Sequence, residues 1–161
     1  MKKYTAFALI ILLLISLCGC SAIFNREPQA DLTADIRIFY NRVSECKRKL
    51  DSLATPILSK WNEMESSFRY TDEQINAAIQ SILQQHNQTI EEIKTLDKEI
   101  SSTYDKTKNS IYQYMVKQVM NDYINYRDCV LNANAALDTT LDITYAEGQL
   151  TSSLKNLRIE A

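Results

Sequence analysis

Between Leu32 and Phe68 the apolar side chains recur at alternating spacings of four and three: Leu32, Ile36, Phe39, Val43, Cys46, Leu50, Leu53, Ile57, Trp61, Met64 and Phe68. That rhythm keeps one stripe of a helix apolar, and a stripe this long calls for other helices lying lengthwise against it. Arg37, Arg42, Lys47, Lys49 and Asp51 fall off the stripe. Pro56 interrupts it, at a cost of about 3 kcal/mol in a helix interior, because the ring removes one hydrogen bond and crowds the preceding turn. The stripe resumes in register, which predicts a kink rather than an end. With two glycines in the whole chain and no Asn-Gly or Asp-Gly pair, a fold of strands and tight hairpins is excluded.

Two capping boxes mark later helix starts. Thr71 with Gln74, and Ser110 with Gln113, each pair an N-cap hydroxyl with a glutamine three residues on that can bond back to the cap amide. After the first box run Ile75, Ile79, Ile82, Ile90, Ile93, Leu96 and Ile100. After the second come Met115, Val116, Val119, Met120, Tyr123, Val130, Leu137 and Leu141, with Gly148 placed to cap the end in a left-handed conformation. Helices over 31–69, 72–108 and 111–147 would each be roughly 55 Å long. The expected fold is therefore all-α, an elongated up-down-up three-helix bundle with coiled-coil-like seams over residues 31–148. Residues 149–161 form a C-terminal tail that adds a short amphipathic turn through Leu150, Leu154 and Leu157 or frays. The alternative keeps 72–147 as one helix, giving a long helical hairpin or rod that oligomerises.

The N-terminus has a different character. Lys2 and Lys3 precede an apolar run from Ala6 to Leu17, broken only by Ser16, and Leu17-Cys18-Gly19-Cys20 closes it. The run has the length of a signal-peptide core and is short for a membrane span of roughly 20 residues. Leu17-Cys18-Gly19-Cys20 resembles the lipobox of bacterial lipoproteins. The resemblance covers residues 1–20 only. It implies a signal peptide over 1–19, cleavage before Cys20, and acyl chains, palmitate among them, on Cys20 that hold the chain to a membrane. More than one chain is needed for a stable anchor. Residues 20–30 would be the lipidated N-terminus and a short tether, on the extracytoplasmic side of a bacterial envelope. In a host with two membranes, Ser21 implies sorting to the outer one. The other reading of the same residues is an uncleaved anchor from Tyr4 to Phe24.

Loss of Lys2 and Lys3 lowers the basic side chains from 18 to 16, against 20 acidic ones, so the processed chain carries a formal charge of −4. That mild acidity gives no footprint for nucleic acid. Processing also leaves Cys46 and Cys129 as an even pair in an exported chain. Counting along the three expected helices sets the level of Cys46 at roughly residues 124–128 of the third. A Cys46–Cys129 disulfide joining the first and third helices is thus expected, the other reading being two buried free thiols.

No catalytic constellation is expected, and neither a metal nor a cofactor. His86 is the only histidine, and a zinc site needs several His or Cys ligands. His86 follows Ile79 and Ile82 at a seam-like spacing, which reads as a polar core or boundary residue. Glu91, Glu92, Asp97 and Glu99 read as solvated helix faces beside Lys94 and Lys98. Tyr104, Tyr112, Tyr114, Tyr123, Tyr126 and Tyr145 concentrate phenols late in the chain. Tyr112 and Tyr126 lie two heptads apart on one face, and tyrosine favours interfaces through its rigid apolar body and polar tip. They are the candidate partner face, against the alternative of core packing with hydroxyls at the rim. The function expected is that of a non-enzymatic envelope lipoprotein, a helical adaptor or spacer that binds an envelope protein or self-associates. The alternatives are an inhibitor or exclusion-type lipoprotein and a small-ligand-binding envelope component.

Overall fold

A computed structural model describes residues 29–67 and 69–160. Two units divide the chain, Met1–Asp31 and Leu32–Ala161, and the core belongs to the second. Five helices are packed there among the described residues: α1 Gln29–Glu65, α2 Asp72–Gln85, α3 Asn87–Thr107, α4 Gln113–Leu131 and α5 Leu137–Glu160. The three-helix expectation is corrected accordingly. The signal segment, Cys20 and Phe68 lie outside the described residues.

Cross-links between helices define the topology. Arg42 pairs with Glu99 and Lys49 with Glu92, so α3 descends as α1 rises. Cys46 meets Tyr123 and Asp51 meets Tyr126, so α4 rises again. Lys47 reaches Glu147 of α5, and Gln80 of α2 donates to the Ala133 carbonyl between α4 and α5 at 2.9 Å. The five helices thus make four alternating passes. Between them the α1 stripe is buried from Ile36 to Met64, without a break at Pro56. It packs with Ile75, Ile79, Ile93 and Ile100, with Val116, Val119, Tyr123 and Val130, and with Ile143, Leu150 and Leu157.

Two breaks went unforeseen because neither contains glycine or proline. The second pass divides at His86, whose amide bonds to Leu83 O at 3.1 Å and whose Nδ1 lies 2.8 Å from Ile82 O. His86 is therefore a half-buried joint rather than a residue within a helix. The third pass stops at Leu131. Asn134 Oδ1 accepts from the Ala136 amide at 2.8 Å and the Thr139 hydroxyl at 2.9 Å. An asparagine that bonds its own following backbone offers the chain a turn in place of a helix. The expected tail is instead the second half of α5, with Leu150, Leu154 and Leu157 in the core.

The two expected caps fare differently. Thr71 and Gln74 form the reciprocal box. Ser110 forms a turn instead of a cap: its hydroxyl accepts from the Tyr112 amide at 3.2 Å, and α4 begins at Gln113, two residues later than expected.

Gly148 caps nothing. It lies inside α5, exposed, and a Cβ added there meets no atom within 4 Å. Glycine in a helix interior is less favourable than alanine by roughly 0.5–1 kcal/mol. Gly148→Ala is expected to raise the unfolding free energy by about that amount, read as a higher urea midpoint at unchanged slope.

The disulfide is also corrected. Cys46 and Cys129 are free thiols. Cys46 faces Tyr123, and Cys129 lies roughly 9 Å further along α4 from that level. Its sulfur is directed at Asn125 Oδ1, at 3.9 Å. An offset of that size exceeds what a disulfide spans, about 7 Å between Cα atoms. The expected level was set too high because it was counted through unbroken helices.

Candidate functional site

Halfway along the bundle two tyrosines of α4 each enter the interior and donate to a carboxylate. Tyr123 OH bonds Asp97 Oδ1 of α3 at 2.8 Å, and Tyr126 OH bonds Asp51 Oδ1 of α1 at the same distance. Each carboxylate also receives a cation, and each cation lies over the ring that its carboxylate bonds. Arg127 Nη1 is 2.6 Å from Asp97, with its guanidinium 5.8 Å from the Tyr123 centroid. Lys47 Nζ is 3.0 Å from Asp51 and 5.9 Å from the Tyr126 centroid. The amphipathic tyrosine suits this place, with its ring in the core and its hydroxyl reaching charged groups at the rim.

The arrangement favours the protonated form of both phenols. Burial pushes both phenols well above the ordinary tyrosine range, and the hydrogen bonds to Asp97 and Asp51 add to it. Since the Tyr123 hydroxyl donates to Asp97, its oxygen is left to accept from the Cys46 thiol at 3.5 Å. Burial raises that thiol to about 11, so at neutral pH it lacks the thiolate that makes cysteine reactive. The Glu147 carboxyl is held below its ordinary value, chiefly by the hydrogen bond from Lys47. Lys47 loses hydration by burial, and Glu147 and Asp51 more than offset this, so its own value rises.

Tyr126, the expected partner-face residue, is 1% exposed and closes the bundle. Tyr112 is half-buried against the core. Among the described residues the most exposed large apolar side chains are others: Ile111 at 72%, Tyr114 at 79%, Leu141 at 60% and Tyr145 at 66%, with Ile38 and Tyr70 exposed to a lesser degree. Leu141 had been assigned to the seam of an unbroken third helix. The new start at Leu137 rotates it outward and brings Ile143 and Ala146 in. Leu141, Tyr145 and Gly148 then follow one another at spacings of four and three along the solvent side of α5. The heptad reading that missed Leu141 as an exposed residue would have found this stripe if the asparagines of residues 132–134 had been read as a helix stop.

Two concavities accompany these features. A cavity of about 280 Å³ between α1 and α5 is lined by Asp51, Thr55, Leu58, Tyr126, Ile143 and Glu147. A cleft of about 440 Å³ at the far end is lined by Trp61, Met64, Glu65, Tyr70, Asp72 and Ile75. Asn76 Oδ1 is buried nearby without a hydrogen-bond partner. Among the described residues no group of three His, Cys, Asp or Glu side chains is placed to hold a metal ion. No described helix is long and apolar enough to cross a membrane. No family model matches the chain, and neither does any curated protein or solved structure.

Proposed function

We propose that this chain is an envelope lipoprotein, held to the membrane by acyl chains on Cys20, whose helical domain is a non-catalytic adaptor for another envelope protein. The anchor follows from Leu17-Cys18-Gly19-Cys20. The observation that supports docking is the α5 stripe, where Leu141 and Tyr145 stand one turn apart, mostly in solvent, with bare Gly148 next to them. A folded chain gains nothing by exposing two large apolar groups side by side, whereas an interface uses such anchors, and tyrosine is enriched among them. Glycine at the third position lets a second backbone approach closely.

A photo-cross-linking amino acid at Tyr145, compared with one at Glu91 on the exposed face of α3, tests the reading in the native envelope. The expected result is one defined protein adduct from position 145, absent from position 91 and lost in Leu141→Ser. Identical patterns from the two positions would remove the α5 face, and an adduct of the chain with itself would make it a self-associating spacer. The intact mass of the same preparation tests the anchor. A chain that starts at Cys20 and carries acyl groups is expected, with no processing in Cys20→Ala.

A further inference from the structure

We infer that the end of the bundle formed by the α3–α4 connection seats on an anionic lipid surface, with Ile111 and Tyr114 entering the interface and Lys106, Lys108 and Lys117 meeting headgroups. The inference rests on the lipoprotein reading for the presence of a membrane, and on the structure for which end faces it. Among the described residues, Ile111 and Tyr114 are the two most exposed of the large apolar side chains. They lie within four residues of one another, in the connecting turn and the first turn of α4. Neither helps hold the bundle together.

The segment that carries them is one-sided in charge. From 105 to 117 three lysines stand against Asp105 alone, a net +2 in a chain whose net charge is −2. Lys108 is paired with Asp105 at 2.7 Å, while Lys106 and Lys117 are exposed and form no ion pair among the described residues. Apolar and aromatic groups flanked by lysines are the composition that partitions into a headgroup layer. The ring and aliphatic chain displace water there, and the long lysine stems keep their charge among anionic lipids. The opposite end has another character, with Glu65, Asp72, Glu73 and Asp138 against Arg69.

Position adds a separate argument. The Phe39 and Tyr104 rings lie 6.3 Å apart, which sets the last turn of α3 beside the first turns of α1. The α3–α4 connection is therefore at the end of the unit where its chain begins. Cys20 precedes Gln29 by nine residues in sequence, a span of roughly 32 Å at most. The lysine-flanked apolar turn thus stands at the end closest in sequence to the anchor.

The test uses the full processed chain in vesicles whose acyl chains are brominated, with Tyr114→Trp as the reporter. The parent chain supplies the background, since its Trp61 is buried at the opposite end. In vesicles containing phosphatidylglycerol, the added indole is expected to be quenched about twofold. Phosphatidylcholine alone should give little quenching, and so should Lys106→Gln/Lys108→Gln/Lys117→Gln or high salt, which screens surface attraction. An added indole that stays unquenched by brominated lipid in anionic vesicles overturns the inference. It does so equally if aqueous acrylamide is excluded, an outcome that would assign the turn to a protein contact. The intact mass of the same sample separates the two readings. Acyl groups without quenching leave the lipoprotein reading standing and remove the seating. If no acyl group is present the lipoprotein reading fails, and quenching of the unlipidated chain on added anionic vesicles still decides the seating.

Discussion

A chain ending at Gly148 is expected to lose cooperative folding. Leu150 and Leu157 are fully buried and Leu154 nearly so, all on the half of α5 that the truncation removes. Burying a leucine side chain contributes about 1.5–3 kcal/mol, so the three together supply roughly 5–9 kcal/mol. Total stability for a domain of this size is about 5–15 kcal/mol. Circular dichroism during urea titration should show a broad, early loss of helix in the truncated chain, where the full chain gives a single transition. The point variant Leu150→Ala keeps the backbone intact and should cost about 2–5 kcal/mol, depending on how far the site collapses. An unchanged midpoint and slope after truncation would mean that residues 149–161 are the peripheral tail their sequence first suggests.

The second large effect is expected at Asp97. This carboxylate is the shared acceptor of Tyr123 OH and Arg127 Nη1, and Asp97→Ala strands both donors. The phenol belongs to a fully buried residue, and leaving such a donor unmet costs about 1–3 kcal/mol. The charge effect is smaller than for a sealed pair, because the Asp97 side chain is 32% exposed and Arg127 keeps Asp128. The expected total is about 2–3 kcal/mol. Tyr123→Phe, which removes the donor and keeps the ring, should cost about 1 kcal/mol. The double variant then costs less than the sum of the singles, since the second change removes a partner already lost. Strict additivity of the two changes would show that the 2.8 Å bond contributes nothing to stability.

The helical reading and its errors come from the same source, the apolar rhythm. Ile36 to Met64 is buried position by position as spaced, because a helix converts a four-three pattern directly into one face. The Thr71–Gln74 box was legible for a similar reason, being an exchange between neighbours. The stops at His86 and at Asn132–Asn134 were not. Alanine, glutamine and asparagine can continue a helix, and whether they do depends on what packs on either side. Once the third pass was read through residues 132–136, two later errors followed: Leu141 placed inside and Gly148 made a cap.

Of the candidate site residues, Cys20 was read from its immediate neighbours and lies outside the described residues. Tyr126 was noticed by type, and its role was not visible in the sequence. Asp51, Lys47 and Glu147 come from two different helices, and nothing local indicates that they converge on one ring.

By itself the sequence determined an all-helical protein, the buried stripe of its first helix and a capped second helix. These rest on contacts between residues a few positions apart, where the chain has little freedom. The tertiary structure alone decided the number of passes, the inward turn of Tyr123 and Tyr126, and the outward turn of Leu141, Tyr145, Ile111 and Tyr114. Those depend on where a helix stops and what lies across from it, and a single added break rotates every residue beyond it by an angle that spacing does not encode.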